Sequence, residues 1–500
     1  MDLIITLISK ICYFLWGDWI HIPLPGSGTL DLPLLVLILV PAGVYFTIRT
    51  GFLQIRMFPD MLRAVLEHAG VSKYAEAAED AEADDKGAAV TAGNTPDTAE
   101  TGKKKKRNGI SALQALVVST ATRVGMGNLV GVVAAVSAGG AGAVFWMWVT
   151  ALIGSATAFI EATLAQLHKE KDPLYGGYRG GPAYYIHDWI NSKRKGAPKK
   201  SILAILFALS GLICWCGISQ VVSNSVTSSF ENAFNIPPIY TVSVLVILAA
   251  IIVLRKNATV KVLDVLVPIM AGIYILLTLY MIFTNIGQLG TAFKNIFTEA
   301  FGLRQAAAGT FGAVLMNGVK RGLFSNEAGS GSAPCAAAAA EASHPAKVGL
   351  MQAFGVFIDT LLCTCTALIM LVVPESVIAG QEGMGLLQAA MAWHMGEAGV
   401  IFIAAVLWLF SFTTFLGILF YARSNVAYLF GDNWASQTAY KVVALVMLFI
   451  GGLAAYTFVW DLGDVGIGLM TIFNMIALIP LSKQALDSLK DFESKKRLRK

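Results

Sequence analysis

Residues 111–137 form an apolar segment long enough to cross about 30 Å of hydrocarbon. Its middle, however, reads Arg123-Val124-Gly125-Met126-Gly127-Asn128-Leu129-Val130-Gly131. In lipid, every backbone N–H and C=O has to be satisfied internally. Glycine-broken, polar backbone at that depth is tolerated only where protein surrounds it or where it lines a cavity. Such unwound backbone presents amides and carbonyls that a bound solute or ion can use. A fold built on this chain must therefore wrap other helices around the break, and the break is the first candidate binding site.

The rest of the sequence supplies those helices. Of its 500 residues 56% are hydrophobic and 14% charged, against about 25% charged in soluble domains. Apolar segments fall at 31–50, 111–137, 143–167, 201–227, 238–254, 260–284, 305–328, 347–373, 398–421, 439–458 and 464–482. An all-α polytopic membrane protein of about eleven spans is expected, with the seventh span the least apolar. Lys and Arg collect in alternate connections: 51–109, 168–200, the turn at Arg255, Lys256 and Lys261, and the tail Lys495 to Lys500. This asymmetry is an orientation signal rather than a nucleic-acid footprint, and it puts the N-terminus outside and the C-terminus in the cytoplasm.

Six regions follow. Residues 1–30 read as an interfacial segment, because Lys10, Trp16, Asp18 and Trp19 suit an amphipathic helix better than a cleaved leader. A peripheral span covers 31–50. Residues 51–109 are a cytoplasmic loop whose 75–108 tract, Ala/Glu/Asp-rich and then Lys-rich, is expected to be a disordered linker touching anionic lipid, with a regulatory role the alternative. The two halves of the core occupy 110–284 and 305–483, and a basic cytoplasmic tail occupies 484–500. The segment Tyr175-Gly176-Gly177-Tyr178-Arg179-Gly180-Gly181-Pro182-Ala183-Tyr184-Tyr185 is too polar to span. It suits an ordered cytoplasmic turn that either packs on the bundle or gates it.

The halves are suggested by a second interruption, Lys320-Arg321-Gly322-Leu323-Phe324-Ser325-Asn326-Glu327-Ala328-Gly329-Ser330-Gly331-Ser332-Ala333-Pro334. With the first span set aside, ten remain. They divide five and five, each half opening on a broken helix in opposite orientation, as inverted repeats require. Gly125, Gly127 and Gly131 superficially suggest a dinucleotide fingerprint, but the spacing is wrong and no strand precedes them.

Charges within the spans are Arg123, Glu161, Lys320, Arg321, Glu327 and Asp359. Such groups pair or line a wet path. Ion pairs of Arg123 with Glu327 or Glu161 are the default expectation, with a direct ion or proton role the alternative. Ser411, Thr413 and Thr414 offer the hydroxyls that a dehydrated monovalent cation needs, or they bond back to their own helix. Gln220 and Asn224 lie one turn apart, suited either to joining helices or to a polar solute. Cys214/Cys216 and Cys363/Cys365 read as buried core residues. His187 and His344 are isolated, and no nucleophile–base pair is visible.

These residues resemble the alanine or glycine:cation symporter family, also called the sodium:alanine symporters. Gly125 to Gly131 followed by Gly142-Ala143-Val144-Phe145-Trp146-Met147-Trp148 is similar to the family signature. Arg321 to Pro334 is similar to its most specific motif, and Phe412-Thr413-Thr414-Phe415-Leu416-Gly417 to a third. The resemblance implies a leucine-transporter-like five-plus-five inverted repeat with one extra N-terminal helix. It implies a multi-pass protein of a bacterial-type inner membrane that is not an enzyme. It further implies sodium-driven import of a small neutral amino acid of the alanine/glycine class, with no organic cofactor and no obligate protein partner. By analogy the solute sits against Gly125, Met126, Gly127 and Asn128, with Gln220, Asn224 and Ile418 around it. Sodium would bridge carbonyls at Val124 and Gly127 and the hydroxyls of Thr413 and Thr414. Two positions depart from the family pattern. Met126 stands where Thr is usual, and Ile418 where Trp is usual. A pocket so altered makes a larger neutral amino acid such as glutamine the alternative substrate. Proton coupling through Glu327 or Asp359 is the alternative drive. A channel would need a continuous polar stripe, and a membrane enzyme a catalytic pair.

Overall fold

The computed structural model describes residues 2–24, 28–68, 109–194, 200–255, 258–301, 311–381, 383–454 and 456–498. The 75–108 tract lies outside the described residues. Helix α1 (Asp2–Trp16) leads into a hairpin, β1 (Asp18–Leu24) and β2 (Gly28–Pro33), with Ile20 opposite Leu32. The interfacial helix expected at 1–30 thus ends at Trp16, and the hairpin follows it. Leu15 and Trp16 are buried against the C-terminal helix, so one face of α1 packs on protein. Next come α2 (Leu34–Arg49) and α3 (Phe58–His68).

The first half of the core opens on α4 (Ala112–Thr122). A reciprocal capping box starts it, Ser111 Oγ accepting from Gln114 N–H at 3.1 Å and Gln114 Oε1 from Ser111 N–H at 2.9 Å. The break at Arg123–Gly131 follows, and then α5 (Val132–Gly139), α6 (Gly142–Leu167), α7 (Pro182–Ser192), α8 (Ile202–Phe234), α9 (Pro238–Val253) and α10 (Ala258–Thr284). After α11 (Ile286–Glu299), the second half repeats the order. It runs α12 (Phe311–Asn326), the second break, α13 (Ala333–Ala339), α14 (Pro345–Leu371), α15 (Met384–Met395), α16 (Glu397–Phe430), α17 (Trp434–Gly451) and α18 (Tyr456–Leu498). This nearly all-helical order is that of a leucine-transporter-like fold, with α1 to α3 preceding the core.

Eight helices among the described residues are long and apolar enough to cross a membrane. Two expected spans, 31–50 and 238–254, are the 16-residue helices α2 and α9, about 24 Å at 1.5 Å per residue. The seventh, 305–328, holds α12, also of 16 residues and carrying Lys320 and Arg321. The basic tail from 484 does not leave the bundle as a separate segment. It continues α18 to Leu498, held by Arg56 with Glu493 at 2.8 Å and by Lys496 with Asp60 at 2.5 Å.

Small residues bring the helices together. A Cβ on Gly217 would lie 2.7 Å from Gly463 N, which lets α8 and α18 pack backbone to backbone. The Ala112–Gly139 segment is the most enclosed, 94% of its apolar window being buried against 28% for Trp434–Gly451. The first break therefore sits at the centre of the bundle.

Candidate functional site

The first break departs from helical backbone at two residues, Val124 (φ −79°, ψ 69°) and Gly125 (φ −148°, ψ −134°). All nine residues from Arg123 to Gly131 are buried. Gly125 N–H is met by Asn128 Oδ1 at 3.2 Å, and Met126 N–H by Thr414 Oγ1 at 3.3 Å. Thr414 also bonds Phe410 O at 2.8 Å and lies 3.3 Å from Ala121 O. A Cβ on Gly125 would overlap Thr414 Oγ1, so the absent side chain is what lets α16 touch the break. Hydroxyl and carbonyl oxygens from α4 and α16 thus converge without a formal charge. This donor set fits a hard monovalent cation.

Thr413 is turned differently. Its hydroxyl bonds Phe410 O at 3.0 Å and approaches Met270 Sδ at 3.6 Å, facing α10. Ser411 Oγ is buried without a hydrogen-bond partner. Met126 and Ile418 are each 1% exposed and sit in the core.

The second break uses positive φ angles, at Glu327 (56°), Gly329 (93°) and Gly331 (83°). Ala328 N–H is met by Asn326 Oδ1 at 2.9 Å and Gly329 N–H by Glu161 Oε2 at 3.0 Å. The breaks are joined side to side. Asn128 Nδ2 donates to Asp359 Oδ1 and to Asp359 O, each at 2.9 Å, and Ser325 Oγ donates to Asp359 Oδ1 at 2.7 Å. Cys363 Sγ stands 3.2 Å from Ser325 Oγ. A Cβ on Gly127 would lie 3.0 Å from Ser325 Cα, so the two broken helices pack closely there.

Two expectations are corrected. Arg123 makes no ion pair with Glu327 or Glu161. Its Nη1 donates to Gln352 O at 3.1 Å and Gln352 Oε1 at 3.2 Å, in space left by Gly355. Glu327 accepts instead from Thr122 Oγ1 and Tyr421 OH, both at 3.2 Å. Neutral donors from neighbouring helices satisfy these carboxylates. Second, the amide nitrogens of Gln220 and Asn224 meet α17 and the turn after it, while Gln220 Oε1 is buried without a hydrogen-bond partner. Gln220 Nε2 reaches Met447 Sδ at 3.2 Å, and Asn224 Nδ2 donates to Ala454 O at 2.8 Å and Gly451 O at 3.3 Å. A Cβ on Gly451 would collide with Gln220, so the close helix approach itself turns these amides toward α17.

Asp464 was not singled out by sequence. It takes Lys320 Nζ at 2.6 Å and Arg321 Nη1 at 3.4 Å, and Trp16 Nε1 donates to its backbone oxygen at 3.1 Å. Gln352, Thr122, Tyr421 and Asn474 were likewise missed, each an uncharged polar residue in an apolar run.

Two buried helix breaks facing each other in a nearly all-helical membrane bundle are what a transporter of the leucine-transporter-like class presents. A crystal structure of MhsT in complex with L-phenylalanine shares this fold, with a TM-score of 0.54 at 13% identity, covering 75% of this chain and 89% of that one. The chain belongs to the sodium:alanine symporter family, whose sequence profile matches residues 25–84 and 86–500. It is a multi-pass sodium-coupled amino-acid symporter and not an enzyme. A protein described as a probable sodium/glutamine symporter, GlnT of Bacillus subtilis, is 39% identical over 480 residues, covering 95% of this chain and 91% of its own. One described as a putative sodium/proton-dependent alanine carrier, YrbD of the same organism, is 37% identical over 483 residues, covering 92% and 90%.

Proposed function

We propose that this chain imports a small neutral amino acid of the alanine/glycine class together with sodium, by alternating access around the two breaks. The observation that carries the reading is the contact between Thr414 Oγ1 and the break at Gly125–Met126, where uncharged oxygens from α4 and α16 converge. Sodium sits there, among Thr414, the backbone carbonyls at Val124 and Gly127, and Thr413 once its hydroxyl turns inward. The amino acid lies alongside as a zwitterion. Its carboxylate meets amides of Gly125 to Asn128, displacing Asn128 Oδ1 and Thr414 Oγ1 from the two amides they hold, where the continuing helix presents a positive dipole end. Its ammonium meets carbonyls at the C-terminal end of α12. Met126 and Ile418 bound the pocket, and Gln220 and Asn224 join helices outside it. Arg123, Glu161, Glu327 and Asp359 hold the broken backbone in place.

The protein works in a bacterial-type inner membrane, with its N-terminus outside and its C-terminus in the cytoplasm. An inward-negative potential adds about 2.3 kcal/mol per charge per 100 mV to the drive. Glutamine is the alternative solute, supported by the GlnT relative and by the Met126 and Ile418 departures. Proton coupling is the alternative drive, supported by buried Glu327 and Asp359 and by the YrbD relative.

The test is uptake by purified protein in potassium-loaded liposomes under an inward sodium gradient. Labelled alanine competes with glycine, serine and glutamine. Sodium-dependent alanine uptake inhibited by glycine supports the proposal. Inhibition by glutamine alone reassigns the solute. Uptake that follows a pH gradient and ignores sodium overturns the ion assignment.

A further inference from the structure

The segment 175–185, not used by the binding site, closes over the second break. Gly181 adopts φ 114°, and a Cβ there would lie 2.8 Å from Cys335 Sγ and 3.3 Å from Cys335 Cα. A Cβ on Gly331 would lie 2.7 Å from Pro182 Cγ. The start of α7 thus rests directly on the start of α13 and covers Cys335, which is 1% exposed.

From this seat a chain of hydrogen bonds runs inward. Tyr185 OH donates to Asn474 Oδ1. Asn474 Nδ2 donates to Glu161 Oε1 and, at 3.0 Å, to Gly329 O. Glu161 Oε2 accepts from Gly329 N–H at 3.0 Å. Both backbone groups of the hinge glycine therefore end on one relay that begins at α7. The same segment is fastened at its rim. Arg179 pairs with Asp432 through both guanidinium arms, Tyr184 OH donates to Ser424 O at 3.1 Å, and Arg423 meets Asp172 at 3.4 Å.

We propose that Tyr185 is a positioning residue of the transport cycle. Through Asn474 and Glu161 it ties the α7 plug to the second break, and cytoplasmic release of the solute requires Tyr185 to leave Asn474. Simple packing would not need a buried carboxylate whose bonds end on the amide of a positive-φ hinge. When the break rearranges, the Gly329 amide must find another partner, so the relay has two distinct states and α7 selects between them. The inference rests on the symporter reading and on a cytoplasmic 168–200 connection.

Cys335 is a built-in reporter. A membrane-impermeant maleimide applied to inverted membrane vesicles, and separately to whole cells, is followed by peptide mapping of Cys335. In the native protein, labelling from the cytoplasmic face should quicken when sodium and the transported amino acid are both present. Tyr185→Phe removes one hydroxyl and should speed it about fivefold without them, the equivalent of one neutral hydrogen bond. The same variant should raise the external KM more than it lowers the maximal rate, because fewer molecules remain outward-facing. Asp432→Asn, at the exposed rim, should act in the same direction and serves if Tyr185→Phe fails to fold. Equal labelling in all three proteins and in all conditions overturns the proposal, as does labelling from the outer face alone. Sodium-driven uptake in the same vesicles tests the symporter reading separately. Uptake with Cys335 always inaccessible would leave that reading standing and remove the plug.

Discussion

The Thr414 hydroxyl occupies the space into which a side chain on Gly125 would grow. Gly125→Ala must push α16 away from the break or twist the break itself. Overpacking of this kind costs about 1–3 kcal/mol. Sodium-driven uptake should fall by more than about tenfold, since a 1 Å displacement at such a contact is enough. Adding Thr414→Ala removes the overlapping oxygen. The double variant should regain thermal stability over Gly125→Ala but not sodium-driven uptake. A thermal melt in detergent beside an uptake assay reads the two effects apart, and strict additivity would show that the residues are not coupled.

Thr413 and Thr414 both back-bond to Phe410 O, but only Thr414 faces the break. A threonine that donates its proton to its own helix keeps lone pairs for a cation. Replacing each with the isosteric Val should therefore separate them. The sodium concentration for half-maximal uptake should rise about tenfold or more for Thr414→Val, since a hydrogen bond or ion contact to a charge is worth roughly 1.5–3 kcal/mol. For Thr413→Val the rise should be several times smaller. Equal shifts would mean that Thr413 turns from Met270 to the ion at no cost.

The broken helices were legible because lipid leaves few ways to bury glycine and asparagine at mid-span, and residues 123–131 and 320–334 violate helical hydropathy in the same way. Thr414 was singled out by the resemblance of residues 412–417 to a family motif, since a hydroxyl in an apolar run can equally bond back to its own helix, as it does here. The partners of the charges were not. Arg123 could be expected to seek a carboxylate, but sequence does not show that Gly355 opens a space beside the Gln352 carbonyl. Gln220 and Asn224 share a helix face, and only the close approach of Gly451 decides that this face meets α17. The hairpin at 18–33 escaped notice because aromatic and charged residues near a membrane surface suit an interfacial helix equally well. The long C-terminal helix escaped because a basic tail carries no hydropathy signal for continuing, while its ion pairs to Arg56 and Asp60 lie more than 400 residues away in sequence.

Asp464 holds two cations, Lys320 at 2.6 Å and Arg321 at 3.4 Å, and is itself 1% exposed. The Arg321 guanidinium also lies 4.2 Å from the centre of the Trp460 ring. Removing the shared partner strands both positive groups in a largely dry site, whereas removing one cation leaves the carboxylate paired with the other. Breaking a buried pair costs roughly 3–5 kcal/mol when a charge is left unmatched. Asp464→Ala should therefore lower the melting temperature far more than Lys320→Ala or Arg321→Ala. Comparable losses from all three would argue that water reaches the site and screens it.

His168, just past the end of α6, offers a check on how α7 is held. Its Nδ1 lies 2.8 Å from Asp188 Oδ2 on α7, and its Nε2 lies 2.8 Å from Gln484 Oε1 on α18. Burial alone would lower the imidazole's pKa, but the hydrogen bonds the ring donates to Asp188 and Gln484 and the Asp188 charge outweigh it, and the net shift is upward. A folded value above the unfolded one means that the protonated ring stabilises the fold. That contribution is present in full below the unfolded value of about 6.5 and is lost as pH rises through the raised folded value. Native protein should therefore melt above His168→Gln at pH 5.5, by at most about 1 kcal/mol because Asp188 is half-exposed and screened. The gap should close by pH 9. Melts of both proteins across that range provide the test. A gap that widens with pH would show that the neutral ring is the stabilising form and that Asp188 does not hold α7 through a charge.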